Sequence, residues 1–273
     1  MGILDQKIAQ TVAVLQQAVL EFSPVTFANS LGAEDMVLTD LIAKFPHPNP
    51  LDETTSHSTK LQRTPAKSLV IPEVEGAIES LRESYIIQMF SLDTGRLPQE
   101  TYDLMQKVRE RYNVPLHVYF PTNALVEELV AKHGVNGFYD SVDNRKACCH
   151  ARKVEPLKRA LAGKNAWITG MRREQAVTRG SLEVSSFDAD HGLQKFNPLL
   201  DWTNAEVWEY IKANDVPYNA LHDQFYPSIG CAPCTRAITP GEDIRAGRWW
   251  WEDPQNKECG LHVGKVMPLK QMK

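Results

Sequence analysis

Val25-Thr26-Phe27-Ala28, Asn29-Ser30-Leu31-Gly32-Ala33-Glu34-Asp35 and then residues 36–44 form a short apolar run, a polar turn and a helical stretch in direct succession. A strand that feeds a helix through a turn of small and acidic residues is one βα unit. Pro24 leads into it, and before that Ile3, Ile8, Val12, Leu15 and Val19 recur at the spacing of an amphipathic opening helix. The unit then returns. Ile86-Ile87-Gln88-Met89-Phe90 runs into Ser91-Leu92-Asp93-Thr94-Gly95-Arg96, and a helix with proline in its first turn is predicted over 98–112. A third strand is predicted at 114–120 with a helix at 124–132, and a fourth at 166–169 after a helix at 154–161. Strands alternating with helices predict an α/β fold: a mostly parallel, twisted sheet with helices on both faces.

Two stretches break the alternation. Between 46 and 85, Pro46, Pro48, Pro50, Pro65 and Pro72 accompany a Ser/Thr-rich run, which predicts a surface insertion with one short helix at 74–81. Residues 180–194 are polar and uneven, and predict a loop. From 239 to 273 no βα pattern remains, so the chain divides into a body, 1–238, and a mobile C-terminal tail, 239–273. Trp249-Trp250-Trp251 in that tail is read as packing rather than as a binding platform.

The chain has 273 residues, 42% of them hydrophobic, enough for one large core. Its formal net charge is −4, so it lacks the broad basic face that a nucleic-acid backbone requires. The first residues show no basic-then-apolar leader, and no window approaches the roughly 18 apolar residues of a membrane span. A cytoplasmic protein without membrane or nucleic-acid partners is expected, its oligomeric state open. Five cysteines in such a chain point to metal binding or thiol chemistry rather than a disulfide framework.

Those cysteines are unevenly placed. Cys148-Cys149 and Cys231-Ala232-Pro233-Cys234 offer four thiols in two tight groups, the donor chemistry of zinc or an iron–sulfur cluster. An adjacent pair suits tetrahedral zinc poorly, which favours the cluster; inert buried thiols and a redox C-x-x-C are the bland alternatives. Lys146, Arg152 and Lys153 flank the pair with positive charge, and His150 is read as a hydrogen-bonded neighbour. Cys259 stands apart in Lys257-Glu258-Cys259-Gly260-Leu261-His262, where nearby cations favour a thiolate nucleophile over an ordinary surface thiol. Ser30–Asp35 and Ser91–Gly95 sit where a parallel sheet binds anions, though each also reads as an ordinary βα turn. The arginine pair in Thr169-Gly170-Met171-Arg172-Arg173-Glu174-Gln175 could hold phosphate or sulfate, or be salt-bridged.

Taken in order, these segments together with Gly247-Arg248-Trp249-Trp250-Trp251 resemble the bacterial assimilatory adenylyl-sulfate (APS) reductases of the phosphoadenylyl-sulfate reductase family, over nearly the whole chain. The resemblance implies an adenine-nucleotide α-hydrolase-like fold and a [4Fe-4S] cluster on Cys148, Cys149, Cys231 and Cys234. It implies thioredoxin- or glutaredoxin-like-thiol-dependent reduction of APS to sulfite and AMP through a thiosulfonate on Cys259, serving sulfate assimilation and cysteine biosynthesis. In that reading Ser30, Gly32, Asp35, Leu92, Asp93, Thr94 and Gly95 hold the nucleotide. Lys153, Arg172, Arg173, Arg245, Arg248 and His262 surround the phosphosulfate, with Lys153 and His262 assisting Cys259. The alternatives are a 3′-phospho-APS reductase, an ATP-pyrophosphatase-type sulfur-transfer enzyme, and a non-catalytic iron–sulfur or zinc redox sensor. The 46–85 insertion departs from the family pattern and puts subunit contacts and nucleotide access in question.

Overall fold

The computed structural model describes residues 2–44, 87–112, 114–175 and 182–253. The insertion predicted over 46–85, Cys259 and His262 therefore lie outside the described residues.

The chain opens with α1 (Ile3–Phe22), whose Ile8, Val12, Leu15 and Val19 face the core as their spacing dictates. Strand β1 (Val25–Ala28) follows, then α2 (Ala33–Lys44). Helix α2 is buried over most of its length, from Ala33 through Ile42, because it is covered on its outer side by a later helix. Next come β2 (Gln88–Leu92), α3 (Gln99–Tyr112), β3 (Leu116–Tyr119) and α4 (Asn123–His133). Helix α5 (Val142–Cys149) is capped by Ser141, whose hydroxyl accepts from the Asn144 amide. It continues through a wider, π-type turn at His150–Val154 into α6 (Glu155–Leu161) and then β4 (Ala166–Ile168).

The sheet has six strands in the order β3-β2-β1-β4-β6-β5. All pairings are parallel except β5 with β6. Alternate side chains of β4 serve opposite faces: Ala166 and Ile168 join the core under α1, α2 and α3, while Trp167 joins Phe90, Leu157, Ala160 and Leu161 under α6. The predicted α/β fold with both faces covered is thus present.

Two corrections concern regular structure. Residues 180–194 do not form only a loop: β5 (Ser185–Asp188) and β6 (Leu193–Phe196) make an antiparallel hairpin that completes the sheet edge. Serines and charges on an outer strand hide it from a hydrophobicity reading, since such a strand is held by its ladder bonds and by one buried face. Helix α7 (Asn204–Ala213) also escaped the reading, although Thr203 and Glu206 form a reciprocal capping box. Helix α7 is the element that covers α2, with Val207, Tyr210 and Ile211 buried.

Candidate functional site

Strand β1 turns to β2 on one side and to β4 on the other, so the crevice between β1 and β4 at their carboxyl ends is where a parallel sheet admits a ligand. A cavity of about 790 Å³ opens there, lined by Ser30, Gly32, Asp35, Leu92, Lys153, Arg172, Arg245 and Arg248 among others.

The β1–α2 turn forms its floor. Leu31 adopts a left-handed φ of 62°, and its amide donates to Asn29 Oδ1 at 2.8 Å. A non-glycine residue in that region is held by its surroundings, here by full burial of the leucine side chain. The Ser30 amide and hydroxyl both donate to Asp35 Oδ2 at 2.6 Å. Burial raises the Asp35 carboxyl to about 7, although the Ser30 hydrogen bonds oppose the shift. Gly170, just past β4, lies so close that a Cβ there would sit 2.2 Å from Asp35 Oδ1.

The arginine pair divides. Arg172 is buried at the cavity wall, with Nε and an Nη donating to Glu34 Oε1 at 3.0 and 2.7 Å and the other Nη to Glu174 and the Trp202 carbonyl. Its charge is therefore met by carboxylates. Arg173 is not among the cavity-lining residues; it bridges Asp201 at 2.7 Å and donates to the Leu182 carbonyl.

The β2–α3 turn divides too. Leu92 lines the cavity, but Asp93 accepts from the Gly95 amide and the Tyr102 hydroxyl. Thr94 turns to the cysteines: its Oγ1 lies 3.2 Å from Cys231 Sγ, and its carbonyl accepts from Arg152 at 2.7 Å. The Ala232 amide donates to the Arg96 carbonyl at 2.8 Å, tying the Cys231–Cys234 segment to this turn.

The four cysteines of the two groups carry no disulfide and are all half-buried. Cys148 feels the charge of Cys231 and Arg152, and Cys234 that of Cys231, Arg248 and Lys153, so the two sequence groups meet in space. Burial pushes the Cys148 thiol up, and burial with the neighbouring Cys231 pushes Cys234 up to about 12. Cys148 and Cys234 would serve as thiolate ligands only with a cation to offset that burial. Among the described residues no three His, Cys, Asp or Glu side chains converge as a metal-ion site. By chemistry alone, four thiols are the donors an iron–sulfur cluster takes. The donor set fits such a cluster.

Lys153 connects cysteines and cavity, lying one turn after Cys149 and close enough to Cys234 to lower its pKa while also lining the cavity. The wider π turn lets one helix present Cys148 and Cys149 together with Lys153 near this centre. Arg248 donates to the carbonyls of Cys234 and Ile229, and a Cβ on Gly230 would lie 2.3 Å from its guanidinium.

The family model of the phosphoadenosine phosphosulfate reductase domain matches residues 24–237. The chain belongs to the phosphoadenosine phosphosulfate reductase family. A relative from Allochromatium vinosum, an adenosine 5′-phosphosulfate reductase, is 47% identical over 265 residues, spanning 97% of this chain and 89% of its own. Among solved structures, a phosphoadenylyl-sulfate reductase from Candida auris in complex with phosphate is 27% identical with a TM-score of 0.60, over 87% of this chain and 98% of that one. A Candida glabrata FMN adenylyltransferase in complex with FAD and pyrophosphate shares the fold, at 15% identity and a TM-score of 0.50, over 97% of this chain and 77% of that one. The adenine-nucleotide α-hydrolase-like fold is thus common to this family and to an adenylyl-transferring enzyme.

Several cavity residues carry roles that their sequence context does not signal. Gly170 and Gly230 are needed for space, which only their neighbours reveal. His222 lines the cavity beside Trp208, its pKa lowered by burial and its Nε2 without a hydrogen-bond partner among the described residues. Residues 239–253, assigned by sequence to a tail, pack onto the body: Trp249 is buried, and Glu252 pairs with buried Arg145 at 2.9 Å. No described helix is long and apolar enough to cross a membrane.

Proposed function

We propose that this chain reduces APS to sulfite and AMP, with a dithiol protein of the thioredoxin or glutaredoxin class as electron donor, in cytoplasmic sulfate assimilation. The observation that carries the reading is the cavity at the β1–β4 crevice, where Lys153, Arg245 and Arg248 lie beside a four-cysteine centre within a family of phosphosulfate reductases. The near-full-length relative, itself an adenosine 5′-phosphosulfate reductase, supports the substrate.

Relatives that are themselves adenosine 5′-phosphosulfate reductases favour APS over its 3′-phosphorylated form. The cavity carries both signs of charge, with Glu34, Asp35 and Asp223 on one hand and Lys153, Arg172, Lys212, Arg245 and Arg248 on the other, Arg172 being paired with Glu34. The cations suit the phosphosulfate. In the proposed chemistry Cys259 thiolate attacks the sulfur of the sulfate group, the S–O bond to phosphate breaks, and AMP leaves. A thiol of the reduced partner then attacks Cys259 Sγ and expels sulfite, and the partner's second thiol releases Cys259 as the partner is oxidised to its disulfide. Lys153, Arg245 and Arg248 would stabilise the charge that builds on the departing phosphate.

Cys148, Cys149, Cys231 and Cys234 would hold a [4Fe-4S] cluster, which would supply a fixed local charge near Lys153. The two electrons come from thiols. The test is sulfite release from APS and from 3′-phospho-APS by anaerobically purified protein with reduced thioredoxin. Turnover of APS that is lost in Cys259→Ser, with nucleotide binding kept, is expected. Pyrophosphate release from ATP without sulfite would instead favour a sulfur-transfer enzyme of the same fold.

A further inference from the structure

The best-buried ion pair of the described chain has no part in that chemistry. Arg145 donates to Glu252 twice, from Nε to Oε1 and from Nη2 to Oε2, both at 2.9 Å, with side chains 1% and 3% exposed. A two-pronged, water-free pair fixes the relative position of its two elements closely, and removing one partner leaves a buried charge unmet.

Its two ends belong to different parts of the site. Arg145 lies on α5, one turn before the Cys148-Cys149 pair, and its guanidinium also hydrogen-bonds Cys149. Glu252 lies just beyond the tryptophans, and its amide donates to the Trp249 carbonyl at 2.9 Å. Trp249 is held at a left-handed φ of 42°, an unfavourable conformation for an indole-bearing residue that tertiary contacts must maintain. Its ring receives two guanidiniums, Arg145 at 4.8 Å and Arg248 at 4.7 Å from the centroid. Arg248 precedes Trp249 directly, lines the cavity and is anchored to the Cys234 and Ile229 carbonyls.

We propose that Arg145 and Glu252 are positioning residues for Arg248: the pair locks the Trp249 turn against the cysteine-bearing helix and so aims the Arg248 guanidinium at the phosphosulfate. This rests on the proposed APS reading. It assigns work to two residues that touch no substrate, and it makes the aim of Arg248 depend on where α5 sits.

The experiment is a double-mutant cycle on APS affinity. In a Cys259→Ser background, where APS can be titrated without turnover, the dissociation constant is measured for Glu252→Gln, Arg248→Ala and the two combined, with iron content and thermal midpoint followed in each. Glu252→Gln is expected to weaken APS about ten-fold, as loss of a well-aimed charged hydrogen bond does, and to have no further effect once Arg248 is alanine. Effects that add to within about two-fold would make the pair merely structural and overturn the proposal. Arg145→Lys, which keeps the charge beside Glu252 but not the fork, goes through the same cycle with the same two outcomes, so that poor folding of Glu252→Gln does not decide the matter. Failure of the parent Cys259→Ser protein to bind APS would overturn the substrate reading and the pair's role with it; binding with additive effects overturns the pair's role alone.

Discussion

Gly170 and Asp35 are in van der Waals collision range: a Cβ on Gly170 would lie 2.2 Å from Asp35 Oδ1 and 3.1 Å from Glu34 Cβ. Neither acidic residue can yield easily, since Asp35 is fixed by Ser30 and Glu34 by Arg172. Gly170→Ala is therefore expected to cost about 1–3 kcal/mol of stability and to weaken nucleotide binding by displacing the Ser30–Asp35 turn. Urea unfolding and APS titration check the two parts. Unchanged affinity would show that the turn does not need its present place.

Asp35 also sets a pH dependence. Burial raises its carboxyl from 3.8 to about 7, so the folded chain holds this proton more tightly than the unfolded chain does. Its contribution to stability is full below about pH 4 and is lost as pH rises through about 7, with a slope of at most about 1.4 kcal/mol per pH unit. Ionisation over the same range adds a negative charge beside a site for an anion. Both stability and APS affinity should fall from pH 6 to 8, and Asp35→Asn should flatten both profiles. Denaturation midpoints and dissociation constants across that range measure this.

Gly230 gives way to Arg248 in the same manner, with 2.3 Å between a hypothetical Cβ and the guanidinium. Gly230→Ala should push Arg248 off the Ile229 and Cys234 carbonyls and lower kcat/KM for APS by about 100-fold. Iron content should stay near that of the parent, because the atoms that a Cβ at Gly230 would crowd belong to the Arg248 guanidinium. Steady-state sulfite release and iron analysis on one preparation separate these effects.

Cys234 tests the metal assignment. Its thiol is pushed up to about 12 by burial and by Cys231, so it remains protonated in metal-free protein and needs a bound cation to become a ligand. Cys234→Ser should lose iron and the visible absorption band together. The same spectrum with full iron content would place the cluster elsewhere. Thr94→Val, which removes the group 3.2 Å from Cys231 Sγ, should keep the iron but shift the band or speed its loss in air.

Much of this was legible in the chain. The βα turn at Ser30–Asp35 declared itself because a strand, a small-residue turn and a buried helix are each local patterns. The nearness of the two cysteine groups, seen in the mutual influence of Cys148, Cys231 and Cys234, was legible because pairs of cysteines rarely occur without cause. The hairpin at Ser185–Phe196 was not, since its stability lies in pairing with β4 and not in its own composition.

Sequence by itself determined the sheet class, the four paired thiols and most of the cations near the site, because residue type and short-range period carry that information. Only the tertiary structure decided how those residues divide. It paired Arg172 at the cavity wall with Glu34 and Glu174, sent Arg173 to Asp201 and Thr94 to Cys231, and added Lys212 to Lys153, Arg245 and Arg248 on the cavity. The physical reason is that a side chain's partner is fixed by distance in space. Glu34 meets Arg172 across 138 residues of sequence and Arg145 meets Glu252 across 107, and no local pattern encodes either meeting.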